Sequence, residues 1–179
     1  MHPDRHWKPR PLHGLAPKRL RPWLTDANSL TARIAARCRS LRVQVLGTGL
    51  AKPVEDERRL VGLARRCHAW QREVLLVADG RPVVFAHTIL APRNLRGAWR
   101  MAAGMGGRPL GAALFARPRI VRGPLHCERI DAGHPLHRRA ERALGSKLPV
   151  LWGRRSRFLH EGRPLLVTEV FLPDIERLG

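Results

Sequence analysis

Two short stretches constrain this chain more than anything else in it. Asp79-Gly80-Arg81-Pro82-Val83-Val84 and Glu161-Gly162-Arg163-Pro164-Leu165-Leu166 match position by position at an offset of 82. In each, an acidic residue and a glycine separate two apolar runs. That is the sequence form of a hairpin closed by a two-residue loop whose central residues take positive φ. Residues 70–78 and 83–90 flank the first turn, and 154–160 and 165–172 flank the second. The similarity reads either as two related hairpins in one sheet or as good turn chemistry found twice.

A two-residue loop fixes the register. It places Arg72 opposite His87 and Arg154 opposite Glu169. Pro82 and Pro164 then fall at non-hydrogen-bonded pairs, where no ladder N–H is missed. Side chains alternate across a sheet, so Trp70, Arg72, Val74, Leu76, Val83, Phe85, His87 and Ile89 are expected on one face. In the second hairpin Glu169 shares a face with Leu165, Val167, Phe171, Phe158 and Arg154. Arg72, His87 and Glu169 are thus polar residues on apolar surfaces. A buried charge without a partner costs several kcal/mol. Such residues either pair within the core or face an internal cavity that takes a charged ligand. Blander readings stand beside these: Arg72 at a sheet edge with its guanidinium in water, Glu169 ion-paired to Arg154, His87 as a hydrogen-bonded core histidine. Glu73 shares its face with Gln71 and reads as solvated or paired.

The remaining segments fit around the hairpins. Residues 1–19 form an N-terminal arm, loose over 1–16, where three Pro and three His stand without apolar periodicity. Residues 20–179 form one domain. Asp26-Ala27-Asn28-Ser29 caps a helix in which Leu30, Ile34 and Cys38 recur every four residues. Leu41, Val43 and Val45 alternate as a strand, and a short helix over 57–63 follows. Helices are predicted over 95–107 and 109–115, and a strand over 120–130 broken at Gly123-Pro124. Residues 133–148 read as an inserted loop with a basic helical turn. Strands in runs, with helices between hairpins, favour an α+β fold with a mostly antiparallel sheet.

Composition excludes more than it assigns. The chain has 179 residues, 34 Lys and Arg against 14 Asp and Glu, and a formal charge of +20. Nearly all the cations are Arg, which with abundant Ala, Gly and Pro is the mark of GC-rich codons. They are scattered rather than clustered, and stacking aromatics are sparse, which argues against a nucleic-acid partner. Attraction of a small polyanion explains the surplus equally well. The longest apolar run, 74–78, is far too short to span a bilayer, and the N-terminus lacks a secretory h-region. Cys38, Cys67 and Cys127 are too far apart for a CxxC. His134-Pro135-Leu136-His137 has no third ligand, so these read as surface histidines and no metal is expected. No phosphate loop or GxSxG elbow occurs.

Several blocks together carry a family resemblance. They are Trp70-Gln71-Arg72-Glu73-Val74-Leu75-Leu76-Val77-Ala78-Asp79-Gly80, Pro109-Leu110-Gly111 before Leu114-Phe115, and Leu151-Trp152-Gly153-Arg154-Arg155-Ser156-Arg157. The last continues into Pro164-Leu165-Leu166-Val167-Thr168-Glu169-Val170-Phe171-Leu172-Pro173. Over about residues 20–173 the chain resembles chorismate pyruvate-lyase, which makes 4-hydroxybenzoate for ubiquinone synthesis. The resemblance implies a cytoplasmic monomer whose antiparallel sheet encloses the ligand beneath helical flaps. It implies no cofactor, and chorismate as substrate and 4-hydroxybenzoate as product for small-molecule partners. It places a ligand-contacting arginine on Arg72, the glutamate on Glu169, and apolar contacts on Leu30 and Leu110. Arg72 and Glu169 are thereby the expected catalytic pair. Where the family can place a second arginine this chain has His87, expected as a weaker substrate contact. One of Arg154 and Arg155 is expected near the ligand, and the sequence does not say which.

Overall fold

The computed structural model describes residues 7–9 and 16–179. Its centre is a seven-stranded sheet in the order β1-β2-β3-β7-β6-β4, with β5 also paired to β6. The strands are β1 (Leu41–Ala51), β2 (Ala69–Ala78), β3 (Arg81–Leu90), β4 (Ile120–Arg122), β5 (His126–Ile130), β6 (Leu151–His160) and β7 (Arg163–Phe171). All pairings are antiparallel, and the α+β class stands. Six α-helices accompany the sheet among the described residues: α1 (Arg21–Thr25), α2 (Leu30–Ala35), α3 (Glu55–Leu60), α4 (Arg100–Ala103), α5 (Leu110–Phe115) and α6 (Pro135–Leu144).

Both hairpin turns form as their chemistry requires. Asp79 and Gly80 have φ of 47° and 81°, and Glu161 and Gly162 have 51° and 70°. Two consecutive positive φ values give the turn hand that follows the twist of the strands. The Asp79 carboxylate also accepts hydrogen bonds from the backbone N–H groups of Arg39 (2.9 Å) and Ser40 (2.8 Å). These bonds tie the turn to the start of β1 and hold the carboxyl below its usual range.

The second hairpin keeps the expected register, with Arg154 opposite Glu169. The first does not. Leu76 pairs with Val84 but Val77 pairs with Pro82, so Val83 is an extra residue in β3. Such a bulge shifts everything beyond it by one residue, and in a sheet that exchanges the faces. Arg72 therefore stands opposite Thr88, and His87 stands opposite Glu73. Phe85, His87 and Ile89 lie on the other face from Arg72, correcting the shared face expected from the loop length.

On one face α1 and α2 deliver Trp23, Leu24, Leu30 and Ile34 onto Val74, Leu76, Val84, Trp152 and Phe171. On the other, Leu136 and Ala140 of α6 pack with Trp7, Phe85, Ile130 and Val170. Each such large side chain contributes about 1.5–3 kcal/mol by leaving water.

Four further expectations change. The helix expected over 95–107 is a 3₁₀ segment, Pro92–Arg96, followed by the short α4; Gly97, at φ −133° and ψ −118°, breaks it. Segment 133–148 is a packed helix rather than a loop. The His134 ring caps it by accepting from the Leu136 N–H (3.1 Å), Pro135 opens it, and Gly145 closes it at φ 65°. His137 is buried rather than on the surface, hydrogen-bonded to the Pro149 carbonyl at 2.9 Å. In the arm, residues 1–6 and 10–15 lie outside the described residues. Trp7, however, is buried, and Lys8 exchanges both backbone hydrogen bonds with Cys127, at 2.9 and 2.7 Å. Gly153 makes room for that ring: a Cβ there would lie 3.4 Å from Trp7 and 3.2 Å from Ile130.

Candidate active site

The face that carries α1, α2 and α5 lines a cavity that takes in Arg72, Arg154 and Glu169. Two cross-strand rows make its floor: Arg72, Thr88, Val167 and Ser156, then Val74, Ala86, Glu169 and Arg154. Leu30 and Thr31 of α2 and Leu110 and Leu114 of α5 roof it. The roof helices meet closely at Gly111, where a Cβ would come within 3.1 Å of the Thr31 hydroxyl oxygen.

The charged groups sit at separate ends of this chamber. Arg72 is on β2 and Glu169 on β7, two strands away, which is roughly 10 Å across the sheet. Arg72 is 3% exposed. Its Nη2 donates to the carbonyls of Gly106 (2.8 Å) and Arg108 (3.1 Å). Its Nε is buried with no hydrogen-bond partner among the described residues. Burial lowers its pKa, the signature of a cation held out of water without a carboxylate. Arg154 is arranged otherwise. Its Nε donates to Glu169 Oε2 (2.6 Å) and its Nη1 to the carbonyls of Trp23 (2.8 Å) and Asp26 (2.6 Å).

The structure thus gathers Arg72, Glu169, Leu30 and Leu110 around one cavity. Arg154 lines it, while Arg155 is on the opposite face, bonded to Asp56 Oδ2 (2.5 Å) and stacked 4.3 Å from the Trp7 ring. The model of the chorismate lyase family matches residues 5–177. The chain belongs to the chorismate lyase family.

Relatives agree with that membership. A protein of Aromatoleum aromaticum named probable chorismate pyruvate-lyase is 56% identical over 96% of this chain and 94% of its own length. One of the same name from Nitrosomonas europaea is 43% identical over 99% of both. Solved structures show a wider spread of the fold alone. The effector domain of PhnF from Mycobacterium smegmatis matches with a TM-score of 0.54 at 17% identity, covering 82% of this chain and 90% of that one. A GntR-family transcriptional regulator from Bacillus cereus matches at 0.52 and 10% identity, covering 75% and 92%.

His87 does not join the family's cavity. It is buried on the opposite face, with Nδ1 3.0 Å from Glu73 Oε1 and Nε2 3.3 Å from Glu57 Oε2. Burial alone would lower its pKa, but the two carboxylates outweigh this and hold it at about 9. Glu73 is opposed by burial yet held at about 2 by His87 and by Arg139, whose Nη1 donates to it at 2.7 Å. Beside this cluster Glu128 is pushed up to about 7, first by burial and then by Asp56. No group of metal ligands occurs among the described residues, and none of their helices is long and apolar enough to cross a membrane.

Sequence reasoning missed four polar cavity residues, Thr31 of the roof among them. Thr88 was hidden by the bulge. Ser156 alternates with Arg154 and was legible from the face pattern. Arg122 precedes the Gly123-Pro124 break on a three-residue strand, too short for periodicity to place its side chain.

Proposed function

We propose that this lyase binds chorismate in the cavity between Arg72 and Glu169 and releases pyruvate and 4-hydroxybenzoate there. The observation that carries the reading is a buried cation without a carboxylate partner at one end of the cavity and a carboxylate at the other. Chorismate needs that polarity, since its ring bears a carboxylate and, across from it, a hydroxyl. Arg72 takes the ring carboxylate in a charge-assisted pair. Glu169, fixed by Arg154, accepts a hydrogen bond from the hydroxyl. Leu30 and Leu110 close over the ring and exclude water.

The chemistry asks little more. The ether bond from the ring to the enolpyruvyl group breaks, and the hydroxyl-bearing carbon loses its hydrogen as a proton. The ring becomes aromatic, and the departing enolpyruvate gains a proton to become pyruvate. Aromatisation supplies the driving force, so the protein's part is orientation and proton management near Glu169. The product keeps both polar handles, which predicts slow release. The enzyme works as a cytoplasmic monomer in this reading.

Purified protein should convert chorismate to equal amounts of 4-hydroxybenzoate and pyruvate, both followed by chromatography. Retention of 4-hydroxybenzoate without turnover would leave a binding pocket and refute the enzyme. A Glu169→Gln protein that turns over normally would remove the carboxylate from the mechanism.

A further inference from the structure

The charge inside the cavity exceeds what the reading above uses. Its lining holds three arginines, Arg72, Arg122 and Arg154, against one carboxylate, Glu169. Two positive charges are left over, and chorismate carries two carboxylates. Arg72 accounts for one. Arg154 has its Nε and Nη1 occupied by Glu169, Trp23 and Asp26. Arg122 remains.

Arg122 is held in a fixed pose. Its guanidinium lies 5.3 Å from the Phe115 ring and 5.5 Å from the Phe158 ring. Its Nε donates to Ser156 Oγ at 3.0 Å and its Nη1 to the Ala27 carbonyl. Burial lowers its pKa, Arg154 adds to that, and Glu169 and Asp26 oppose it. It is on β4, beyond β6, so the strands β3, β7 and β6 separate it from Arg72. This cation therefore serves the Glu169 end of the chamber.

Substrate geometry says what belongs there. With the ring carboxylate on Arg72 and the hydroxyl on Glu169, the enolpyruvyl ether projects from the ring carbon next to the hydroxyl. Its carboxylate must lie beside the Glu169 end, to one side of the ring axis. We propose that Arg122 binds the enolpyruvyl carboxylate of chorismate through its Nη2 edge, and so separates substrate from product. The assignment rests on the lyase reading above. Arg122 loses its ligand when pyruvate leaves, whereas Arg72 and Glu169 keep theirs. Arg122 thus acts in substrate capture and bond breaking and is silent in product retention.

The test compares wild type, Arg122→Met and Arg122→Lys in the full chain, each checked by thermal melting. Met keeps an unbranched stem against the two phenyl rings and removes the charge. For Arg122→Met, kcat/KM for chorismate should fall about tenfold to a hundredfold, the range for a charge-assisted hydrogen bond. Its Kd for 4-hydroxybenzoate, by calorimetry, should stay within about twofold, below the effect of a single such bond. Lys should recover part of the loss, lacking the planar fork. A wild-type measurement needs no variant: 4-hydroxybenzoate bearing a carboxymethyl ether beside the hydroxyl should bind more tightly than 4-hydroxybenzoate itself. Equal losses for substrate and product in Arg122→Met would make the residue structural and overturn the proposal. So would unchanged kcat/KM, or no preference of wild type for the dicarboxylate. Wild type that binds the dicarboxylate tightly but releases no pyruvate would refute the lyase reading and leave the Arg122 subsite standing.

Discussion

The two hairpins begin alike and end differently. Trp70-Gln71-Arg72 and Trp152-Gly153-Arg154 occupy the same positions relative to their turns, and both turns have the same hand. In the second hairpin the residue opposite Arg154 is Glu169, and the cation is neutralised. In the first, one extra residue at Val83 rotates His87 away and brings Thr88 opposite Arg72. The same strand pattern therefore yields a structural arginine in one place and an uncompensated one in the other. The difference lies in the residue opposite: a carboxylate faces and pairs with Arg154, whereas Thr88 faces Arg72.

Breaking each arginine in turn should expose that division. Arg72→Ala should lower kcat/KM for chorismate about a hundredfold or more, the loss of two charge-assisted bonds, with a smaller loss of stability than Arg154→Met from the Gly106 and Arg108 carbonyls it leaves unpaired. Product affinity measured by calorimetry should fall with it; an Arg72→Ala protein that binds 4-hydroxybenzoate normally would end the assignment. Arg154→Met should act chiefly on stability. It strands Glu169 and the carbonyls of Trp23 and Asp26, at a cost of about 3 kcal/mol, read as a shift in urea midpoint. An Arg154→Met protein as stable as wild type would show that the pair is dispensable.

A smaller effect belongs to the displaced His87. Its folded pKa of about 9 is above the ordinary 6.5. Its contribution to stability is complete below about pH 6.5 and disappears as pH rises through 9. Glu73 shows the opposite sign: its pKa is lowered from 4.5 to about 2, so its contribution is present above 4.5 and is lost as pH falls through about 2. Melting temperature should decline between pH 7 and 10, and His87→Gln should flatten that decline. A wild-type curve flat over the same interval would mean that His87 is neutral in the folded protein. The smallest expected difference is chemical. Exposed Cys67 should be alkylated well before buried Cys127, whose thiol burial pushes up to about 11; equal rates by mass spectrometry would show the cavity face opening freely.

What the sequence revealed follows from the same contrast. The second hairpin was legible down to its register because turn chemistry, alternation and proline placement agreed without a bulge. Arg72 was legible too, since it precedes the bulge in the face pattern. His87 was misplaced because Val83 and Val84 are equally apolar and nothing local marks which is the extra residue. Residues joined by tertiary contact alone were out of reach: Arg122 packed against the edge-to-face pair of Phe115 and Phe158, and Trp7 seated over Gly153. The family resemblance found Leu30 and Leu110, which periodicity alone would have counted as core.

The Asp79 carboxylate has one more consequence, for the lifetime of the molecule. An Asp-Gly bond is prone to spontaneous ageing, because the following backbone nitrogen can attack the side-chain carboxyl and close a succinimide ring. Here that carboxyl stays ionised and is turned back onto the N–H groups of Arg39 and Ser40. The hydrogen bonds that fasten β1 to the hairpin also shield the most fragile peptide link at its tip, so chemical wear there must wait until the edge strand lets go.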